Sequence, residues 1–473
     1  MRVAVTHVYS RKNKGDSAIL ACQLREMRRV FPDAELHIFT LERVADGETF
    51  EGLPLRRSLM STVVGGGAPR ALRPLVGALM MFNTLGWAAA KRLTGASLPI
   101  AAGWRTQVHT LEACAAQVCV GGGYLRGTRS HESTYALLLL LHQIALARVL
   151  GKPVYLYAQS FGPFPGPGQQ FLFRCISRLS SMILPRESIS LAMARELGGS
   201  RARVEPVIDS AFLLPHPPKA SIARWFPHGR PEIIVGMTAR EWLGGQKQAE
   251  YEHALVALIE YILERGWGVM IIPQVTADRD DDRVVGRRLA ARFPAHANLA
   301  LVEDELDFRE ISAIYASLDL LVGTRFHSVI FSLCAGVPCL AIEYEHKTSG
   351  ILRDLGLGDW YLHIEDVRGP NLIAMFERLV TARHALKPRI ATAVATARRQ
   401  AERGADLIAD HFRGITPPPS GSRAHPRAAA RRHVSAFSAL RGQALSAGEA
   451  RASQADELAE RAAPSKSGEN RAL

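Results

Sequence analysis

Apolar residues recur along this chain in two rhythms that alternate from one end to the other. Short apolar runs of strand length occupy Arg2–Val8, Glu35–Thr40 and residues 116–120, 154–158 and 181–184. Between them lie longer stretches with apolar positions three and four apart. Residues 17–30 place Ile19, Leu20, Cys22, Leu24, Met27 and Val30 broadly on one helical face, and residues 132–150 form a long helix closed by Gly151 and Pro153. After a Pro-rich stretch at 216–218 the alternation restarts, with strands over 232–237, 269–272 and 298–302 and a helix over 251–264. Residues 371–412 are helical in pattern. Buried strands alternating with helices predict an α/β protein with parallel sheets, divided into domains of residues 1–215 and 231–412. From Arg413 the composition turns to Ala, Arg, Ser and Pro with few aliphatic residues, which predicts a disordered basic tail over 413–473.

The most legible stretch is residues 311–358. Residues 318–322 are a buried strand closed by Gly323; 328–335 are helical and stop at Gly336 and Pro338; 339–342 are the next buried strand. That is a βαβ unit, so its strands should be parallel. Thr324, Arg325, His327 and Ser328 fall where a strand ends and a helix begins, and Glu343, Tyr344, Glu345, His346 and Lys347 fall at the end of the neighbouring strand. Ligands of open parallel sheets bind outside the carboxyl ends of the strands, where helix N-termini favour anions. Arg325, His327 and Lys347 on one rim therefore predict a site for a small anion. Taken singly, His327 could be a structural histidine, Arg325 an ion-pair partner and Lys347 a solvated loop residue.

The opening strand, loop and helix are Rossmann-like but lack the Gly-x-Gly-x-x-Gly fingerprint, which argues against a dinucleotide site. Asp16 is either a carboxylate at the rim of the first strand or the N-cap of the helix that follows. Gly121, Gly122 and Gly123 follow a strand and either admit a ligand to the backbone or allow a tight turn, whereas the glycines at 65–67 read as loop. Arg186 starts a helix and Arg240 sits just past a strand. Residues 278–282 hold a run of aspartates without EF-hand spacing, read as a solvated helix start. Residues 74–90 carry no charge and are bracketed by Arg73, Lys91 and Arg92. They are too short and broken to span a bilayer; the expectation is a buried or interdomain helix, the alternative a monotopic patch lying in a membrane surface.

Of 473 residues, 47% are hydrophobic, ample for sizeable cores. The formal charge of +13 is spread along the chain without a long basic block. Nucleic acid is thus a weak reading, and an anionic membrane or a polyanionic saccharide fits as well. Cys22, Cys114, Cys119, Cys175, Cys334 and Cys339 are scattered, without Cys-x-x-Cys pairs or zinc-ligand spacing, and read as buried thiols of a reducing compartment. The first residues are too polar for a signal peptide. The expected location is cytoplasmic, with association at the inner face of the membrane left open.

The wording LDLLVGTRFHSVIFSLCAGVPCLAIEYEHKTSGIL resembles the C-terminal signature of the polysaccharide pyruvyl transferases, with its Arg-x-His-Ser, Ala-Gly-Val-Pro and Tyr-x-x-Lys. NKGDSAIL, with Asn13, Gly15, Asp16 and Ala18, resembles that family's opening Asn-x-Gly-Asp-x-Ala, and VGGGYL, YAQSFGP, LPRESIS, IDSAFLLP and GMTAREW echo it in order. The resemblance covers roughly residues 1–360 and agrees with two Rossmann-like domains facing across a cleft, a GT-B-like architecture. It implies transfer of the pyruvyl group of phosphoenolpyruvate to two hydroxyls of a sugar, in a polysaccharide or its lipid-linked precursor, to form a cyclic ketal. On that reading His327, Asp16 and Lys347 are the catalytic candidates. Arg325, Arg186, Arg240, Asn13, Gly122 and Gly123 are the substrate-binding ones; Arg186 matches loosely, since LPRES stands where Arg-Asp is usual. No metal or cofactor is implied beyond phosphoenolpyruvate as co-substrate, and the partners are that donor and the saccharide, with peripheral membrane contact and self-association open. The rival readings are a GT-B glycosyltransferase using a nucleotide sugar, and a non-catalytic membrane-associated assembly factor.

Overall fold

The computed structural model describes residues 1–415 apart from 46, 65–68, 200–201 and 279. The expected tail lies outside the described residues except at 413–415, which continue the last helix, and so does the expected loop at 65–67.

The first sheet holds β1 (Arg2–Val8), β2 (Glu35–Thr40), β3 (Thr49–Phe50), β4 (Leu53–Arg57), β5 (Ala116–Cys119), β6 (Gly122–Leu125), β7 (Val154–Phe161) and β8 (Met182–Pro185). Its path runs β3-β4-β2-β1-β5-β7-β6, with β8 also on β7, and every pair but the β3–β4 edge is parallel. The chain then forms β9 (Ile234–Thr238), β10 (Gly268–Ile271), a two-stranded antiparallel pair of β11 (Thr276–Ala277) and β12 (Asp280–Asp281), β13 (Leu299–Leu301), β14 (Leu320–Gly323), β15 (Cys339–Glu343) and β16 (Tyr361–His363). The second sheet is parallel throughout, in the order β13-β10-β9-β14-β15-β16. Leaving aside β3 and β6, both sheets follow the Rossmann order, in which the winding reverses beside the first strand. The reversals fall between β1 and β5 and between β9 and β14. The architecture is the expected pair of Rossmann-like halves.

Helices α1 (Lys14–Val30), α2 (Leu59–Val64), α3 (Arg73–Thr94), α4 (Ala102–Ala113), α5 (His131–Val149), α6 (Pro167–Leu179) and α7 (Ser188–Gly198) belong to the first half. The second has α8 (Gly245–Glu264), α9 (Asp282–Ala290), α10 (Phe308–Tyr315), α11 (Phe326–Cys334), α12 (Lys347–Asp354) and α13 (Gly369–Ile415). One apolar core runs from α1 and one face of the first sheet into the second sheet and α13; another fills the opposite face of the first sheet under α3 and α5. Helix α13 does not stay in its own half. Its early residues Phe376 and Leu379 are buried among those of the second half, while His411 Nδ1 lies 3.0 Å from Tyr155 Oη and Phe412 meets Phe31 edge-on. Arg413 donates to the Val30 carbonyl at 3.0 Å. The C-terminal helix thus straps the second half to the first.

Two expectations change. Helix α1 begins at Lys14, not 17, because Asn13 is its N-cap and its side chain accepts from the amides of Gly15 and Asp16. The N-cap reading of Asp16 therefore falls. The segment at 74–90 is the middle of α3, a helix of 22 residues that is buried along one side only. Met80, Trp87 and Ala88 face the core, and Leu75, Leu79 and Phe82 face outward. No helix among the described residues is long and apolar enough to cross a membrane.

Candidate active site

Where the carboxyl ends of β1, β5, β9, β14 and β15 meet, both halves line a cleft of about 390 Å³. Its floor is stitched across the halves by backbone bonds: Lys14 donates to the Gln274 carbonyl at 3.0 Å and Thr276 to that of Lys12 at 3.0 Å. Asn13 thus reaches the site through its cap and its bridge to Val275. Lys14 extends the seam, its ammonium 2.8 Å from Glu305.

A wall of cations faces the cleft. Arg186, at the end of β8, is 1% exposed. Its Nη1 donates to Asp209 at 2.6 Å and its Nε to Ser160 Oγ at 2.7 Å. Its Nη2 is directed toward Gly123, where a β-carbon would stand 3.7 Å from it and 3.3 Å from Lys347 Nζ. Gly123 therefore lets two cations crowd one strand edge. Lys347 begins α12 and pairs with Glu345 at 2.6 Å; Arg126 pairs with the same carboxylate. Burial lowers the Lys347 ammonium to about 8, and Arg186, Arg126 and Arg240 push the same way against Tyr344. Arg240, just beyond β9, lies over the rings of Trp242 and Tyr344, 4.6 and 4.5 Å from their centres. Gly121 serves packing instead, since a β-carbon there would come 2.7 Å from the Ala158 carbonyl. Gly122 begins β6 beside it, pairing with Gln159 of β7, and is buried.

Beside this wall lies an acid–base group. His327, in the first turn of α11, packs directly on Gly15 of α1: a β-carbon on Gly15 would sit 2.0 Å from His327 Nδ1. Its Nε2 lies 3.7 Å from Asp209 Oδ2, an ion-pair separation too long for a hydrogen bond. Burial alone would raise the Asp209 carboxyl, but Arg186 and His327 outweigh it and hold it at about 2. Asp16, freed from capping, sits in the first turn of α1. Burial raises its carboxyl above the ordinary value against the pull of His327, Lys347 and Arg186. The structure thus brings together Asp16, His327, Lys347 and Arg186 from both halves of the chain.

Arg325 is also there, but differently employed. Its Nε donates to Asp282 at 3.0 Å and its Nη2 to Asp280 at 2.6 Å, with further bonds to both carboxylates. Asp282 also accepts from the amides of Gln274 and Val275, both at 3.0 Å. The aspartate run is therefore a solvated helix start only in part: Asp281 caps α9, whereas Asp282 is buried and anchors Arg325. Among the described residues no cluster of His, Cys, Asp and Glu is arranged to hold a metal ion.

Aromatic rings complete the cleft. Tyr9 stacks on Tyr124 with centres 5.1 Å apart, and His7 lies 5.5 Å from the same ring. His7 has a left-handed φ of 63° and is buried, which lowers its imidazole to about 3. Burial would raise the Tyr344 phenol, but Lys347, Arg240 and Arg325 together bring it down to about 8.

The profile of the polysaccharide pyruvyl transferases matches residues 13–346, from the Asn13 cap to the edge of α12. The chain belongs to this family. A relative, the amylovoran biosynthesis protein AmsJ of Erwinia amylovora, is 30% identical over 273 residues, 55% of this chain and 65% of the relative, so the match spans just under two thirds of that protein. Among solved structures, Anabaena HepE in complex with UDP-glucose superposes with a TM-score of 0.52 at 12% identity, covering 88% of this chain and all of that one. A UDP complex of MnaA from Staphylococcus aureus gives 0.53 at 12%, covering 87% and 95%. At that identity they show the fold alone.

For this pyruvyl transferase family member, several cleft residues escape sequence reasoning. Asp209 lies within IDSAFLLP, a stretch that resembles the family, but the sequence does not show that it meets Arg186 and His327. Tyr124 lies within VGGGYL and Trp242 within GMTAREW, with Arg126 directly after the first, and those family-like stretches are the signal that could have found them.

Proposed function

We propose that the cleft transfers the pyruvyl group of phosphoenolpyruvate to two hydroxyls of one sugar, giving a cyclic ketal and inorganic phosphate, in the assembly of an extracellular polysaccharide. The observation that supports it best is one juxtaposition. Arg186 and Lys347 crowd the bare edge of Gly123, and His327, backed by Asp209 and packed on Gly15, opens onto the same space. The first pair suits a ligand with both a carboxylate and a phosphate; the second suits proton transfer.

In the reaction, C3 of the enol gains a proton, C2 forms bonds to two sugar oxygens, and the C2–O bond to phosphate breaks. One hydroxyl proton balances the new methyl group and the other leaves with the phosphate. His327 moves the proton between a sugar hydroxyl and C3. Asp209 positions the imidazole and, through the same carboxylate, Arg186. Asp16, its carboxyl raised, is the second proton carrier in reach. Arg186, Lys347 and Arg240 neutralise the donor's charges, and Tyr9, Tyr124 and Trp242 offer ring faces to the saccharide. With its guanidinium bonded to Asp280 and Asp282, Arg325 acts as a positioning residue that holds the β11–β12 pair against the cleft. The amylovoran biosynthesis name of the relative fits an exopolysaccharide as the acceptor.

Thermal shift tests the reading. Phosphoenolpyruvate should raise the melting temperature, and Lys347→Met should abolish the rise. Stabilisation by UDP or UDP-glucose instead, with no response to phosphoenolpyruvate, would turn the assignment to a nucleotide-sugar transferase.

A further inference from the structure

We infer that the outward face of α3 seats the protein on an anionic lipid surface. A surface helix ordinarily turns its polar residues to water, but the uncharged middle of α3 buries Thr84 and exposes apolar side chains. Its Thr84 is buried, with Oγ1 2.8 Å from His142 Nε2 and 2.7 Å from the Met80 carbonyl. Asn83 is occupied at the side, its amide nitrogen donating to the Pro99 carbonyl and its oxygen accepting from the Ala101 amide. Outward point Leu75, Leu79 and Phe82, which are 58, 56 and 83% exposed, with Ala78 and Gly86 on the same stripe. The stripe is firmly backed. Met80, Trp87 and Ala88 are buried beneath it, and Tyr135 of α5 donates to the Arg73 carbonyl at 2.9 Å.

Charge selects the occupant. Between Gly52 and Leu111 the sequence has no Asp or Glu, while Arg73 opens α3, Lys91 and Arg92 stand in its last turn, and Arg105 lies on the neighbouring α4. Glu112 on α4 lies 3.9 Å from Lys91 and offsets part of that charge. A second copy of the chain would set these cations against each other, whereas anionic headgroups complement them. The apolar stripe suits the depth of the headgroup boundary, and α3 is not apolar and long enough to span. Ser133 and Ala136 of α5, the helix that holds the start of α3, line the cleft. On the reaction proposed above, docking by α3 would bring the cleft close to a lipid-linked saccharide.

The test uses the full chain and protein-free vesicles without substrate, so its outcome does not depend on the reaction. Flotation with phosphatidylcholine vesicles should leave the protein behind, and vesicles containing phosphatidylglycerol should carry it up. Phe82→Asp with Leu79→Asp should weaken that binding about tenfold or more with an unchanged melting curve, since each removes a large inserted side chain. Lys91→Glu with Arg92→Glu should weaken it independently, separating the headgroup contribution from a folding defect in the first pair. Failure of the wild type to float with anionic vesicles, or equal flotation of all variants, would overturn the inference. So would a wild-type dimer that Phe82→Asp splits to monomers while vesicles are ignored, which would make the face a self-association surface.

Discussion

Gly15 and His327 lie far apart in sequence and touch in the fold, which makes them a matched pair for experiment. A methyl group on Gly15 must displace the imidazole. Gly15→Ala is therefore expected to cut turnover much as His327→Ala does, by about 10²–10⁴, at a modest cost in melting temperature and with donor binding near wild type. In a His327→Gly background, which also removes the β-carbon that would stand 2.6 Å from the new methyl, Gly15→Ala should cost nothing further; multiplied losses would separate the two positions. Phosphate release from phosphoenolpyruvate, with the cell's saccharide fraction as acceptor, reads all of these variants. Lys347 supplies a pH test. Its ammonium falls from the ordinary 10.5 to about 8, so the charge that grips the donor is lost as the pH climbs through that value. The KM for phosphoenolpyruvate should rise on that limb, and Lys347→Arg, with a fixed charge, should flatten it. Tyr344 also reaches about 8, and Tyr344→Phe shows whether the limb is its own. For folding the sign is the opposite of the binding effect. Between about 8 and 10.5 the unfolded chain holds the Lys347 proton and the folded chain does not, so this group makes stability rise with pH across that window.

At the scale of elements, the Arg325 cluster carries a stability prediction. Arg325→Met leaves the buried Asp282 without its cation and should cost about 3–5 kcal/mol, read as a fall in denaturant midpoint. Adding Asp282→Asn, which still accepts from the Gln274 and Val275 amides, should return a good part of it. A drop in phosphoenolpyruvate affinity without loss of stability would instead place Arg325 on the donor. The elements also show what the sequence could and could not reveal. The βαβ unit around Arg325 and His327 was legible because two buried strands and a Gly-Pro stop leave little choice of structure. Helix α3 is visible as an uncharged segment, but periodicity does not say which side faces the core, and here Thr84 turns inward while Leu75, Leu79 and Phe82 face out. The start of α1 was misplaced because Asn13 and Asp16 are both good caps, and only geometry shows which side chain turns back onto the amides. Asp282 looked solvated among its neighbours since its partner lies 43 residues further on, and pairing at that distance leaves no local trace.

Over the whole molecule, the cleft depends on two Rossmann-like halves held together at its floor by the residue 12–14 strand bridge and at the back by α13. Residues 417–473 are rich in Ala, Arg, Ser and Pro with few aliphatic side chains, a composition that buries little apolar surface. Removal of residues 417–473 should therefore leave melting temperature and turnover near wild type; a loss of several degrees would show that the tail docks on the body. Pyruvyl transfer leaves its record in the polysaccharide itself. In the organism that carries this chain, deleting its gene should remove ketal-linked pyruvate from the extracellular polysaccharide, measured by mass spectrometry after mild acid release. The wild-type gene should restore it, and a stably folded His327→Ala variant should not. Pyruvate content that is unchanged by the deletion would rule out pyruvyl transfer by this protein, and full restoration by His327→Ala would remove the histidine from the chemistry.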